Sequence, residues 1–357
     1  MEKHSIGNGE SVGPIPTDGS RKNMKKSSNI KKDILQEIEK AQNILLHLHV
    51  KPDPDSIGSV LAMYHFLKKI GKNPIVIKGD TPFVENLAFL PGSDQIIHKN
   101  YFEIDLSKFD LFIILDSAEK NMISKVAEIN FPENLKTIVI DHHITNSKYG
   151  NINLVEPSSS STAELLFYLF EEWKVEINSE IAACLYLGIW GDTGSFRYSN
   201  TTEKTMKAVY EIVKIYPDFS KLISRLVNNN TKEKIFFDGL ALNSIESFFN
   251  DKVAISSVSF EKIQEKGITE ADTASSIISN ILISVKNWQI GVSLKEVKPN
   301  EIAISFRSKN DIDVSIIAQE LGGGGHKSAA GAFLKLPIDQ AKKEILLVVN
   351  KYYGEIF

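Results

Sequence analysis

The sequence predicts a two-domain α/β protein: an N-terminal domain on a mostly parallel sheet and a smaller C-terminal α/β domain, joined by a helical linker. Three observations predict it. From Ile30 onward, short apolar runs alternate with stretches of helical periodicity, the rhythm of a parallel sheet with crossover helices. The 357 residues exceed what one core commonly fills, at about 100–200 residues per domain. The rhythm also breaks at Asn228–Asn230 and resumes at Val253. The expected divisions are a tail over residues 1–29, an N-terminal domain over 30–228, a linker helix over 229–250 and a C-terminal domain over 251–357.

Taken in order, Met1–Ser28 is rich in Gly, Ser, Asn, Lys and Pro without periodicity and reads as a disordered tail. Its basic stretch Arg21–Lys32 reads as solvated charge rather than a nucleic-acid arm. Ile44–His49 is an apolar run ending in histidine, the pattern of a buried strand. Ile57, Val60, Leu61, Tyr64, Leu67 and Ile70 share one helical face, which Gly71 closes. Pro74–Lys78, Leu111–Leu115 and Thr137–Ile140 are the next strands, the last two ending at Asp116 and Asp141. Ser161-Thr-Ala-Glu164 is a capping box before the apolar run Leu165–Phe170, and Ile181–Trp190 reads as a buried helix. Lys232–Phe249 reads as one connecting helix, in which Phe236, Phe237, Phe248 and Phe249 pack rather than stack on bases. Val253–Val258 opens the second α/β segment, and Asp313–Leu321 is a helix with Asp313 as N-cap and Gly322 at its end.

Composition bounds the function. With 42% apolar, 24% charged and 9% aromatic residues, the chain has the make-up of a folded protein. Forty-one basic against 45 acidic residues leave a net charge of −4, which argues against a protein that coats long DNA or RNA. A site for one or a few phosphates remains open. Cys184 is the only cysteine, so an internal disulfide and a cysteine zinc cluster are both excluded. No apolar run reaches the ~18 residues of a membrane helix, and no apolar block follows the early lysines as in a signal peptide. The expected compartment is the cytoplasm.

The functional signal lies in where Asp and His fall. His49-Val-Lys-Pro-Asp53-Pro-Asp55 follows the first strand, Asp116 closes the third, and Asp141-His142-His143 closes the fourth. Asp192 follows the apolar run Ile181–Trp190. In a parallel sheet the carboxyl ends of the strands share one edge, and ligands bind in the crevice outside it. That many carboxylates at one place repel each other unless cations compensate them. A pair of divalent metals does so, and oxygen and imidazole ligands without thiolate suit manganese, magnesium or iron. Each piece also has a plain structural reading, since a strand-end Asp commonly caps a helix or forms a turn. His49 could be a core histidine, with His47 on the same strand face as the competing candidate.

This ordered set resembles the four metal-site motifs of the DHH phosphoesterase superfamily. Gly322-Gly-Gly-Gly325-His326-Lys-Ser-Ala-Ala-Gly331 resembles the signature of that family's associated C-terminal substrate-binding domain. The arrangement is most similar to the nanoRNase and pAp-phosphatase subgroup, over about residues 30–357. The resemblance implies that His49, Asp53 and Asp116 bind one metal and that Asp55, Asp116, His142 and Asp192 bind a second, with Asp116 bridging. It implies manganese as the metal, Asp141 as the residue orienting an imidazole, and His143 as a phosphate contact or proton donor. Two positions depart from the family pattern: Asp116-Ser-Ala-Glu-Lys-Asn-Met lacks the Arg often found after the bridging Asp, and Ser56 stands where Ala is common. Neither removes a ligand, but the first puts the Arg's substrate contact in doubt.

In the C-terminal domain, four consecutive glycines are too costly to order as helix or strand without a reason. Gly323, Gly324 and Gly325 would bare backbone N–H groups to an anion, with His326 and Arg307 as side-chain contacts to phosphate or ribose. A flexible hinge is the competing reading of the glycines. Arg197, just past Asp192, is a further substrate candidate or an ordinary exposed Arg. The leading function is hydrolysis of short oligoribonucleotides or pAp to mononucleotides by water activated between two metals. A phosphodiesterase acting on cyclic di-AMP or linear pApA is the alternative. A nucleotide-binding module without catalysis is the alternative from another class. Expected partners are the short substrate and, by the resemblance alone, a second copy of the chain, with neither a membrane nor a long nucleic acid.

Overall fold

The computed structural model describes residues 18–80, 87–274 and 278–357, and the side chains of these apart from 18–28, 274 and 326. The chain divides into two units, Met1–Asn228 and Asn229–Phe357. Residues 1–17 of the expected tail lie outside the described residues, whereas residues 18–29 are helical and begin α1 (Asp18–Lys40). This corrects the tail expectation. Arg, Lys and Met dominate residues 21–26 and favour helix. Ile34 and Ile38, one turn apart, are fully buried and anchor the same helix to the core.

In the first unit, α1 is followed by β1 (Asn43–His47), α2 (Pro54–Lys69), β2 (Asn73–Ile77) and β3 (Ile96–Ile97). Then come β4 (Leu111–Leu115), β5 (Lys136–Asp141) and β6 (Ile152–Val155). Helices α3 (Thr162–Glu172), α4 (Ser179–Asp192), α5 (Glu203–Ile215) and α6 (Phe219–Val227) complete it. The six strands pair in parallel throughout, in the order β3-β2-β1-β4-β5-β6. Strand alternation sends Ile44, Leu46, Ile113 and Ile138 to one apolar core and Leu45, Phe112, Ile114 and Val139 to another. Burial on both faces is why these strands read as continuous apolar runs rather than alternating ones. The order reverses between β1 and β4, and the crevice at such a reversal, outside the carboxyl ends, is where open α/β sheets bind ligands.

The second unit runs α7 (Lys232–Asn243), β7 (Glu246–Phe248), β8 (Val253–Val258), α8 (Phe260–Glu265), α9 (Glu270–Ala274) and α10 (Ile278–Ser284). It continues with β9 (Ile290–Lys298), β10 (Glu301–Ser308), α11 (Val314–Glu320), β11 (Gly324–His326), β12 (Ala329–Leu334) and α12 (Ile338–Tyr353). Its sheet has the order β11-β12-β10-β9-β8-β7, antiparallel except for β8 with β9.

Two expectations are corrected here. The segment expected as one linker helix, Lys232–Phe249 within 229–250, is a helix followed by a strand. Helix α7 stops at Asn243, Ser244 Oγ donates to the Ala241 carbonyl, and the chain pairs onward as β7. Phe237 and Ala241 are buried in one core with Ala254, Val258 and Leu282, which builds α7 into the second unit. The glycine run also enters a strand, because Gly324–His326 pairs with β12. Backbone proximity explains it: a Cβ on Gly323 would lie 2.1 Å from the Gly331 carbonyl oxygen, and Gly325 has φ of 145°. Among the described residues, no helix is long and apolar enough to cross a membrane.

Candidate metal centre

The loop after β1 turns into α2 and delivers three candidates. The His49 backbone N–H donates to Ser56 Oγ at 3.2 Å, and His49 Nδ1 lies 3.0 Å from the Val50 carbonyl. That carbonyl fixes the proton on Nδ1 in the neutral ring and leaves the Nε2 lone pair for a ligand. His49 Nε2 lies 3.5 Å from Asp116 Oδ2 and 3.7 Å from Asp53 Oδ1. Asp53 is also the N-cap of α2, accepting from the Ser56 N–H at 2.9 Å, so the plain structural role and the ligand role coexist in one carboxylate.

Asp55 is fully buried against the start of α3. Its Oδ2 accepts from the Thr162 N–H at 2.7 Å, and its Oδ1 from the Ala163 N–H at 2.9 Å and Ser59 Oγ at 3.2 Å. A helix N-terminus stabilises a carboxylate in that position. Asp116, past the end of β4, has the left-handed backbone φ of 51°. Strain of this kind collects at functional sites, where the fold over-determines it. The Asp116 Oδ1 accepts from Thr162 Oγ1 at 3.1 Å.

Asp141 ends β5 and is fully buried. Its Oδ1 accepts from His143 Nδ1 at 2.7 Å, and its Oδ2 from Asn146 Nδ2 at 2.6 Å. Burial alone would raise its pKa, but the hydrogen bonds and charges of His143, Asn146 and His142 outweigh it and hold the carboxyl below the usual range. His142 reaches the other way: its Nε2 lies 3.1 Å from Asp192 Oδ2 and 3.6 Å from Asp116 Oδ1. Asp192 is the last residue of α4.

The candidate ligands fall into three overlapping groups: His49, Asp53 and Asp116; Asp55, His142 and Asp192; and Asp116, His142 and His143. Within each group the ligand atoms lie within 4.8 Å of one another. Burial would lower the pKa of His49 and His142, yet the carboxylates around them push both up to about 10. Asp55 moves well up through burial and the charges of Asp116 and Asp192. Asp192 rises through burial and Asp116, partly offset by His142. The site therefore carries surplus negative charge. His142 Nε2 is buried without a hydrogen bond, although Asp192 approaches it. A donor set of imidazole nitrogens and carboxylate oxygens that face one another at 3.1–3.7 Å, without thiolate, fits a divalent cation.

His47 lies in the core edge-on to Phe112, with ring centroids 5.5 Å apart, and is separate from the carboxylates that face His49. Arg197 is exposed and its Nε donates to the Gly194 carbonyl at 2.7 Å. Arg307, Gly323, Gly324 and Gly325 belong to the second unit, where Arg307 Nε donates to Asn280 Oδ1 at 3.0 Å. The His326 side chain lies outside the described residues. Sequence reasoning passed over Thr162 and Asn146, and noted Ser56 as a departure from the family pattern without the hydrogen bond it accepts from the His49 N–H. For Thr162 the signal was present in the capping box, but half of that box is absent. Ser161 Oγ accepts from the Glu164 N–H, whereas the Glu164 carboxylate takes Ser160 and Thr205 instead of the Ser161 N–H.

Residues 43–189 match the DHH family, N-terminal domain, and residues 250–355 match the DHHA1 domain. The chain is 31% identical over 311 residues to the bifunctional oligoribonuclease and PAP phosphatase NrnA of Thermus thermophilus, covering 86% of this chain and 89% of that protein. It is 28% identical over 308 residues to the protein of the same name from Bacillus subtilis, covering 85% and 93%. The fold is similar to the crystal structure of an exopolyphosphatase-related protein from Bacteroides fragilis. That match has a TM-score of 0.83 and 26% identity, and covers 92% of this chain and 97% of that one.

Proposed function

The chain belongs to the DHH family of phosphoesterases, hydrolases of phosphoester bonds, and from that premise we propose that it degrades short oligoribonucleotides and pAp to mononucleotides with two manganese ions. One observation carries the two-ion reading: the two oxygens of Asp116 face different groups. Oδ2 faces His49 at 3.5 Å and Oδ1 faces His142 at 3.6 Å, so a single carboxylate serves both. In this reading His49, Asp53 and Asp116 would hold one ion, and Asp55, Asp116, His142 and Asp192 the other. The chemistry such ions would supply is neutralisation of charge at phosphorus and a lowered pKa for a water molecule.

The chain's own residues do the rest. His143 is tied to Asp141 through Nδ1, which fixes its ring and leaves Nε2 as the nitrogen that passes a proton to the leaving oxygen. Its side chain is 42% exposed, in keeping with contact to a substrate. Asp141, kept ionised by its hydrogen bonds, favours the charged imidazole that must give up this proton. Arg307, His326 and the N–H groups of Gly324 and Gly325 would contact phosphate in the second unit, and Arg197 in the first; the Gly323 N–H is not free to do so, because it donates to the Ala318 carbonyl at 2.7 Å. The names of the Thermus and Bacillus relatives support nanoRNA and pAp as the substrates.

The test is product analysis with purified protein and manganese, offering pAp, a 5′-phosphorylated RNA dinucleotide, a long RNA and cyclic di-AMP separately. AMP from pAp and mononucleotides from the dinucleotide, with little attack on the others and none by Asp116→Ala, is the expected result. Rapid turnover of cyclic di-AMP would replace this reading with a cyclic dinucleotide phosphodiesterase. No metal-dependent turnover of any of the four would overturn it.

A further inference from the structure

The ligands read as holding the second ion come from separate segments. Asp192 ends α4, while the stretch 159–163 orients its companions. Ser159 contributes the carbonyl 3.4 Å from His142 Nδ1, Thr162 and Ala163 give their N–H groups to Asp55, and Thr162 Oγ1 donates to Asp116. Asn200 spans the two. Its Nδ2 donates to the Ser160 carbonyl at 2.9 Å and to the Asp192 carbonyl at 3.1 Å. Both acceptors are carbonyl oxygens, so the amide has one sensible orientation: turned over, its oxygen would face two others. Its Oδ1 is buried without a hydrogen bond, which costs stability, so the donor end is what this residue contributes.

We propose that Asn200 is a positioning residue for one of the two cations: it holds the backbone of Asp192 at a set distance from the stretch that orients Asp55 and His142. The inference rests on the two-ion reading above. His49 and Asp53 are placed by the end of β1 and the start of α2, and the shared Asp116 by the end of β4, so loss of Asn200 bears first on Asp192, a ligand of one group and not the other. A purely structural residue would instead lower folding stability without separating the two ions.

The experiment titrates Mn2+ into metal-stripped full-length protein, read by calorimetry and by the electron paramagnetic resonance of free Mn2+. It compares wild type, Asn200→Ala, Asn200→Asp and Asn178→Ala, with thermal melting in chelator as the folding check. Asn200→Asp keeps the shape and removes the donor. Asn178 caps the opposite end of α4, accepting from the Ile181 N–H, so its alanine variant perturbs the helix without touching Asp192. Expected are two binding steps for wild type and Asn178→Ala. For both Asn200 variants, one step should be unchanged and the other weakened by about 10–100-fold, the usual effect of losing a residue that orients a ligand. Two wild-type-like steps in the Asn200 variants overturn the inference while leaving the two-ion reading intact. Loss of both steps together with a lowered melting temperature makes Asn200 structural and also overturns it. A wild type that takes up no Mn2+ overturns the two-ion reading itself, and the inference with it.

Discussion

The Oδ2 of Asp55 accepts a 2.7 Å hydrogen bond from the backbone N–H of Thr162, a residue 107 positions further along the chain. Through it, the first turn of α2 and the first turn of α3 share one buried carboxylate, which also faces His142 and Asp192. Asp55 is thus both a helix-terminus anion and a candidate ligand.

Asp55→Asn separates these roles. The amide oxygen still accepts from one of the two α3 N–H groups, but its NH2 faces the other and cannot accept. Removing the charge also eases repulsion with Asp116 and Asp192. Melting temperature in chelator should change little, whereas phosphoester hydrolysis should fall by at least about 100-fold, the upper end of what loss of a ligand-orienting partner costs. A variant with near-normal turnover would remove Asp55 from the metal centre.

His143 raises a different question, because its Nδ1 lies 3.8 Å from Asp116 as well as 2.7 Å from Asp141. A proton donor and a ligand behave differently on truncation. His143→Ala should leave Mn2+ binding intact and reduce hydrolysis of pAp by about 10²–10⁴-fold, the range for general acid–base catalysis. An aryl phosphoester whose leaving group needs no proton should lose far less. Equal loss on both substrates, with weakened Mn2+ binding, would make His143 a ligand.

Much of this site was legible because it depends on local rules. Asp116 and Asp141 stand where apolar runs end, and a parallel sheet gathers such ends on one edge. Ser161 and Asp313 cap α3 and α11 as their spacing with later residues indicates. What was not legible depends on contacts between distant segments. The pairing of Thr162 with Asp55 has no local signature, and neither does the burial of Phe237 that draws α7 into the second unit. The glycine run failed for a related reason. Its intrinsic cost argues against a strand, and only the neighbouring β12 backbone, pressed against Gly323, makes side-chain-free residues necessary there.

His47 is the residue whose chemistry the site does not use. Both ring nitrogens are buried without hydrogen bonds, and burial is the main force lowering its pKa to about 3. The native state therefore resists the proton that the unfolded chain accepts near pH 6.5. Its stabilising balance is complete above that pH and is lost as the pH falls toward 3, at about 1.4 kcal/mol per unit. His47→Phe keeps an aromatic ring against Phe112 and removes the two unpaired nitrogens. Denaturant unfolding at pH 7.5 should show a gain of about 1 kcal/mol, growing as the pH is lowered toward 4. A gain that does not grow toward acid pH would show that His47 is not held neutral in the folded state.

The glycine run of the second unit offers a contrast between two neighbours. A Cβ on Gly323 would meet the Gly331 carbonyl oxygen at 2.1 Å and Ala332 Cα at 2.7 Å, both backbone atoms that cannot rotate away. A Cβ on Gly324 would meet nothing within 4 Å. Gly323→Ala should therefore destabilise the second unit by about 1–3 kcal/mol, the cost of forced overpacking, and leave Mn2+ binding by the first unit unchanged. Gly324→Ala should fold as well as wild type, so any effect on pAp turnover comes from the space a ligand would need. If the run bares its N–H groups to a phosphate, the added methyl should raise KM for pAp by about tenfold with kcat nearly unchanged, the signature of lost uniform binding. An unchanged KM in Gly324→Ala, alongside the predicted destabilisation in Gly323→Ala, would assign the glycines to the close approach of β11 to β12 and move phosphate recognition elsewhere in the unit.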